Sequence, residues 1–204
     1  MRDDRHLWPT AISGARPDLA GPGVTIRLVP AARQTVLSGP YEAAMALAGL
    51  TGDAVGSGAI AQGSPYAIRQ RRDRILVIGG GEIADGWHEA AGVAVADMTA
   101  AYGVIEVTGV RAERLLATGT EFAANQPSAS AARLWHGFSC LIYRYQSEDS
   151  FRIHVRSAHL EAAWEMLGRQ VDLVARLPEL PRRAGDDRLA DAEADGKIPR
   201  RQAG

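Results

Sequence analysis

Apolar and polar positions alternate most cleanly over Phe151 to Arg156. There Phe151, Ile153 and Val155 share one face of a period-two strand, and Arg152, His154 and Arg156 share the other. This is the pattern of a half-buried antiparallel strand. At Ser157 the period changes. Leu160, Ala163, Trp164 and Leu167 recur at three- and four-residue steps, which predicts an amphipathic helix lying on the strand's own sheet, with the Ser157 hydroxyl capping its first turn.

The same succession occurs earlier, from Asp73 through the apolar run Ile75-Leu-Val-Ile78 to Trp87. A shift of 77 places Ile78 on Val155, Leu76 on Ile153, Ile83 on Leu160 and Trp87 on Trp164. A second pair repeats in the same order: a shift of 70 places Gly39 on Gly109, Met45 on Leu115 and Gly49 on Gly119. Two strand-to-helix units that each recur once imply a duplicated half rather than a solenoid. The expected fold class is therefore α+β, with duplicated strand-strand-helix halves and helices packed on antiparallel sheet.

In chain order, residues 1–23 carry Pro9, Pro17 and Pro22 without periodicity and are expected to form an irregular arm. Residues 24–177 form one duplicated domain, with halves of about 24–92 and 93–177. In the first half, strands are expected at 24–30 and 33–37. A helix from Pro40 to Gly49 follows, then a small-residue loop at 51–65 that crosses between layers. A hairpin of 66–70 with 74–78 and a helix at 83–91 complete that half. The second half repeats the plan: strands at 93–96 and 103–107, a helix at 110–118, a loop through Pro127, strands at 133–136 and 139–145, then the stretch described first. Residues 178–204, dominated by charge, proline and small side chains, read as a polar tail.

The 204 residues, 46% of them apolar, suit one substantial globular domain. No apolar run reaches the roughly 18 residues a membrane span needs, and the N-terminus lacks a signal peptide's apolar segment, so the expected location is the cytoplasm. A net charge of -1 gives no basic excess for nucleic acid, and the densest basic run, Arg69 to Arg74, reads as a solvated hairpin turn. The one cysteine, Cys140, is expected inside a strand and makes no internal disulfide. The one lysine, Lys197, lies in the tail, which argues against Schiff-base chemistry.

The sharpest motif is Gly79-Gly80-Gly81-Glu-Ile-Ala84. It follows an apolar strand, opens a predicted helix and has Asp97 after the next strand, as a dinucleotide fingerprint does. Gly79, Gly81 and Asp97 are thus the candidate cofactor-binding residues. Only 18 residues separate Gly79 from Asp97, and no run of strand–helix–strand units follows, so a plain strand-to-helix turn competes with the nucleotide reading. His6, His88, His136, His154 and His159 show no helical metal-pair spacing. His154 and His159 flank the turn of the leading stretch and could serve acid–base chemistry. Ser139 and Cys140 near His136 are a conceivable nucleophile and base, though confined to one hairpin. No catalytic residue and no metal ligand is assigned.

The succession Val95-Ala-Asp97-Met-Thr, then Val107-Thr-Gly109 with Leu115-Leu-Ala-Thr-Gly119, then Phe151-Arg-Ile-His-Val-Arg156-Ser157-Ala158 and Trp164-Glu-Met-Leu167 resembles the gamma subunit of heterotetrameric sarcosine oxidase. The resemblance spans roughly Val24 to Val171 and is strongest after Val93. It departs at Ala100, Ala101 and Tyr102 and at Glu121, which leaves the substrate open between sarcosine and another N-methyl amino acid. It implies a fold similar to the folate-binding domain of aminomethyltransferase-like proteins. It also implies a non-catalytic accessory subunit in a complex with alpha, beta and delta subunits, where the partners hold FAD, FMN, NAD and tetrahydrofolate. An NAD-binding enzyme using Gly79 to Ala84 and a free-standing folate-binding protein remain the alternatives.

Overall fold

The computed structural model describes residues 16–30, 32–120 and 128–176. Twelve strands and three helices follow in order among them: β1 (Leu19–Gly21), β2 (Val24–Val29), β3 (Gln34–Ser38), α1 (Tyr41–Leu47), β4 (Ile60–Ala61), β5 (Tyr66–Arg71), β6 (Arg74–Ile78), β7 (Gly86–His88), β8 (Val93–Asp97), β9 (Tyr102–Thr108), α2 (Ala112–Ala117), β10 (Ala132–Trp135), β11 (Phe138–Tyr145), β12 (Ser150–Arg156) and α3 (Leu160–Arg176). One sheet has the order β5-β6-β3-β8-β7; the other has the order β1-β2-β9-β12-β11-β10, with β4 added in parallel to the end of β11.

The alternation of side chains along these strands builds four layers. Leu37, Ile75, Val77, Val93 and Val95 point to α1, where Ala44 and Met45 cover them. Ile26, Ile105, Val107, Ile142, Phe151 and Ile153 point the opposite way, to α2 and α3. The other faces of the two sheets meet, and Ile68, Leu76, Ile78, Leu141 and Tyr143 form a third cluster between them. The order is thus helix, sheet, sheet, helix. The leading strand is buried on both faces rather than on one: His154 is 0% exposed because the second sheet covers it.

The two halves repeat at the level of single hydrogen bonds. Gly39 N donates to Asp73 O, and Gly109 N donates to Asp149 O, each at 2.9 Å. Both glycines adopt positive φ, 156° and 117°, and a Cβ on either would collide with a carbonyl, Gly92 O or Gly23 O respectively. Met45 on Leu115 holds, since each anchors its helix in its own core.

The register of the other repeat is corrected by one residue. Leu37 pairs with Ile75 and Val107 with Phe151, so Phe151 answers Ile75, and Ile153 answers Val77 rather than Leu76. A one-residue slip exchanges the faces of a strand. Leu76 and Ile78 face the other sheet, as Arg152 and His154 do.

The helix expected at 83–91 does not form. Gly86 sits at φ 118°, outside the helical region, and the segment turns back as β7 to pair with β8, pinned where Asp97 N donates to Asp85 Oδ1 at 2.8 Å. Trp87 is consequently 61% exposed and is no counterpart of the buried Trp164. The predicted Ser157 cap is also replaced: Ser157 to His159 form a single 3₁₀ turn, and the Ser157 hydroxyl donates to Ala100 O at 2.7 Å. Part of the expected irregular arm is ordered as β1, against which α3 packs so closely that a Cβ on Gly21 would strike Val171. The loop at 51–65 crosses between layers as expected, bridging Val55 to Ile68 in one sheet and giving β4 to the other. The tail of 178–204, with Lys197, lies outside the described residues.

Candidate functional site

Between the sheets a chain of polar side chains interrupts the apolar packing. Its centre is His154 on β12. Nδ1 lies 2.7 Å from Gln34 Oε1 and Nε2 lies 2.8 Å from the Tyr143 hydroxyl. The Tyr143 hydroxyl is 2.8 Å from that of Tyr66, and Arg152 Nη1 donates to the Tyr66 hydroxyl at 3.2 Å. Arg152 also reaches Glu106 Oε2 from Nε and Nη2, each at 3.4 Å, and its guanidinium stacks 3.4 Å from the ring centre of Tyr145. Arg27 meets the same Glu106 carboxylate at 3.5 Å.

The direction of every bond in this chain is fixed by its two ends. Gln34 Nε2 donates to Tyr102 O at 3.0 Å, a group that can only accept, so Gln34 Oε1 faces His154 as an acceptor. His154 therefore carries its proton on Nδ1, and Nε2 accepts from Tyr143. At the other end Arg152 can only donate, so Tyr66 accepts from it and passes its own proton toward Tyr143.

Burial and the neighbouring Arg152 charge lower the His154 pKa to about 3, so the imidazole is neutral. Burial likewise raises the tyrosine hydroxyls of Tyr66 and Tyr143 above their ordinary value. A base of such low pKa has little driving force near neutrality. The chain holds geometry and orients protons; it does not store charge.

A cavity of about 210 Å³ opens beside this chain. Its walls include Val29, Ile78 and Val104, its rim Pro30, Ala32 and Ser64, and its polar lining Gln34, Tyr66, Arg152 and His154, with the Tyr145 ring alongside.

Of the residues singled out from sequence, only His154 and its strand neighbour Arg152 enter this arrangement. Gly79 and Gly81 follow β6 but open no helix, so there is no N-terminal array of amides for a pyrophosphate. Gly79 instead approaches Ser64, and Asp97 is tied into the β8 turn by accepting from Thr99 N at 2.8 Å. The fingerprint is a turn that packs, and the nucleotide reading of Gly79 to Ala84 loses its structural basis.

Cys140 lies in β11 as expected, where burial pushes its thiol up to about 12 and Sγ faces Arg133 O at 3.6 Å. His136 turns to Thr118 Oγ1 at 3.2 Å, so Ser139, Cys140 and His136 do not assemble. His88 contacts Ala84 O and His159 approaches the Phe138 ring; His6 lies outside the described residues. Among the described residues no three His, Cys, Asp or Glu side chains gather to hold a metal, and no helix is long and apolar enough to cross a membrane. Gln34, Tyr66, Glu106 and Tyr143 were not singled out from sequence, where each stands in a different strand with no spacing that links it to the others.

No protein-family profile matches the chain, and no curated protein does. Among solved structures, aminomethyltransferase T of the glycine cleavage system from Bartonella henselae is similar at TM-score 0.42 and 16% identity, over 72% of this chain and 46% of that one. The chain shares its fold with a chain of the heterotetrameric sarcosine oxidase from Corynebacterium sp. U-96, at TM-score 0.59 and 17% identity, over 87% of this chain and 97% of that one.

Proposed function

We propose that this chain is a non-catalytic, gamma-type accessory subunit of a multi-subunit flavoenzyme that oxidatively demethylates sarcosine or a related N-methyl amino acid. The observation that carries the proposal is the end-to-end likeness to one chain of a heterotetrameric sarcosine oxidase, which is covered to 97% of its length. The match takes in 97% of that chain and 87% of this one, so it is not confined to one part of either. The buried polar chain is consistent with such a role, because its Gln34, His154, Tyr143 and Tyr66 donors are aimed at protein acceptors and His154 is held neutral. The expected partners are alpha, beta and delta subunits that bring FAD, FMN, NAD and tetrahydrofolate.

Co-expression with flavoprotein subunits of a sarcosine oxidase-like enzyme tests this. The chain should elute with them in fixed ratio, and the complex should consume oxygen with sarcosine or another N-methyl amino acid. The isolated chain should be colourless and inactive. A yellow, sarcosine-oxidising preparation of this polypeptide alone, or failure to associate with any flavoprotein subunit, would overturn the proposal.

A further inference from the structure

The cavity between the sheets has features that the accessory role does not use. Arg152 and Arg27 share a single carboxylate, Glu106, so this cluster carries one positive charge in excess. The Arg152 side chain is only 15% exposed, and a guanidinium held this far from water gains from an anionic partner. No acidic residue lines the cavity, and with His154 neutral Arg152 supplies its charge. Of the five N–H groups of Arg152, Nε and one each on Nη1 and Nη2 have partners among the described residues, which leaves two. Tyr145 stacks on a flat face of the guanidinium and Glu106 takes its Nε–Nη2 edge, which leaves one N–H on each of Nη1 and Nη2 for a planar carboxylate. The remaining walls, Val29, Ile78 and Val104, are apolar.

Volume limits the occupant. An apolar cavity of about 150 Å³ accommodates a benzene ring, and this one measures about 210 Å³. One ring or a short branched chain fits, with room for a carboxylate and little more.

From the guanidinium N–H groups, the excess charge and the apolar walls we infer that this cavity is a binding site for a small monocarboxylate with a compact apolar or aromatic body, held by Arg152. The site lies within this chain and does not depend on assembly with other subunits. Entry is over the rim formed by Pro30, Ala32 and Ser64, which is exposed, while the floor at His154 and Val104 is buried. The Arg152–Tyr66–Tyr143–His154 chain holds the guanidinium in place before the ligand arrives, so little ordering is left to the binding step.

Titration of the full 204-residue chain with benzoate, followed by ¹⁵N NMR, tests this. Saturable shifts should concentrate on amides of β12, β9 and the rim. Benzamide, of the same size but uncharged, should bind at least about tenfold more weakly, as loss of a charge-assisted pair predicts. Arg152→Gln should weaken benzoate about 10- to 100-fold. Because that variant disturbs a buried network, Ala32→Trp provides a second arm: it alters only the exposed rim and should abolish binding while leaving the melting temperature unchanged. Absence of saturable shifts in the wild-type chain would overturn the inference. So would equal affinity for benzamide, or undiminished benzoate binding in Ala32→Trp.

Discussion

His154 Nδ1 donates to Gln34 Oε1 at 2.7 Å across a separation of 120 residues, joining β12 of one sheet to β3 of the other. Because Gln34 Oε1 is the one acceptor of the His154 Nδ1 proton among the described residues, Gln34→Leu leaves a buried N–H without a partner. The expected cost is about 1–3 kcal/mol. Chemical denaturation would read it, and a variant as stable as the parent would show that the contact is not a hydrogen bond.

The same histidine makes stability depend on pH with a definite sign. Its pKa is about 3 in the folded chain and close to 6.5 once unfolded, so between these values the unfolded state binds a proton that the folded state does not. Its contribution is fully present above pH 6.5 and is lost as pH falls toward 3. The slope is about 1.4 kcal/mol per pH unit. Denaturation midpoints measured from pH 7.5 to 4 should show this slope, and His154→Phe, although less stable overall, should show a flatter profile by the same amount.

Tyr143 and Tyr66 differ in what their hydroxyls do. The Tyr143 hydroxyl donates to His154 and accepts from Tyr66, whereas Tyr66 donates inward and accepts from the partly exposed Arg152. Tyr143→Phe should therefore destabilise by about 1–3 kcal/mol and by more than Tyr66→Phe. A double-mutant cycle should show coupling between the two positions. Additive effects would mean that the hydroxyls act independently.

Trp164 and Trp87 should respond in opposite ways to truncation. Trp164 is 6% exposed, within the cluster formed by α3 and β12, and its replacement by Ala should cost roughly 3–5 kcal/mol. Trp87 is 61% exposed, so Trp87→Ala should change the melting midpoint of the isolated chain by an amount within about 0.5 kcal/mol. Equal losses at both positions would restore the helix that the structure lacks.

Glycines separate along the same lines. Gly109→Ala must both hold φ at 117° and push Gly23 O away from 2.3 Å, which should cost at least about 2 kcal/mol. Gly81 meets nothing within 4 Å and has no positive φ, so Gly81→Ala should be neutral or stabilise slightly, by up to about 1 kcal/mol. Thermal melts of the two variants decide between structural and permissive positions, and a neutral Gly109→Ala would contradict the close approach of the two strands.

Most strands were legible because their period-two pattern survives wherever one face differs from the other. Ile75-Leu-Val-Ile78 defeats that test: packed against α1 on one side and against the second sheet on the other, it is apolar throughout and carries no mark of which residue faces where. The register of the repeat was therefore open to a slip of one. The segment at 83–91 was misread because Ile83, Trp87 and Ala91 fall at helical spacing, while Gly86 and the Asp85 contact, which decide the matter, act through backbone conformation and a residue twelve positions away. At the site, Arg152 and His154 announced themselves as polar residues on a strand. Their partners Gln34, Tyr66 and Glu106 did not, because each comes from a different strand: the register of β9 on β12 sets Glu106 opposite Arg152, and the stacking of the sheets brings Gln34 and Tyr66 to them.

The placement of β2 and β8 has a consequence for how the chain acquires its shape. β8 stays with the half it follows, pairing with β3, but β2 pairs with β9, so β2 and the β1 strand beside it belong to the sheet made by the closing half. As the polypeptide leaves the ribosome, residues 24–29 have only the three-residue β1 beside them until residues 102–108 have been made. The first sheet, by contrast, has all of its strands once residue 97 has emerged. Without 24–29, the second sheet would present β9 as a bare edge. β2 therefore meets β9 only after the first sheet has all of its strands, and the boundary near 92 and 93 marks a repeat in sequence without marking a place where the protein can be divided.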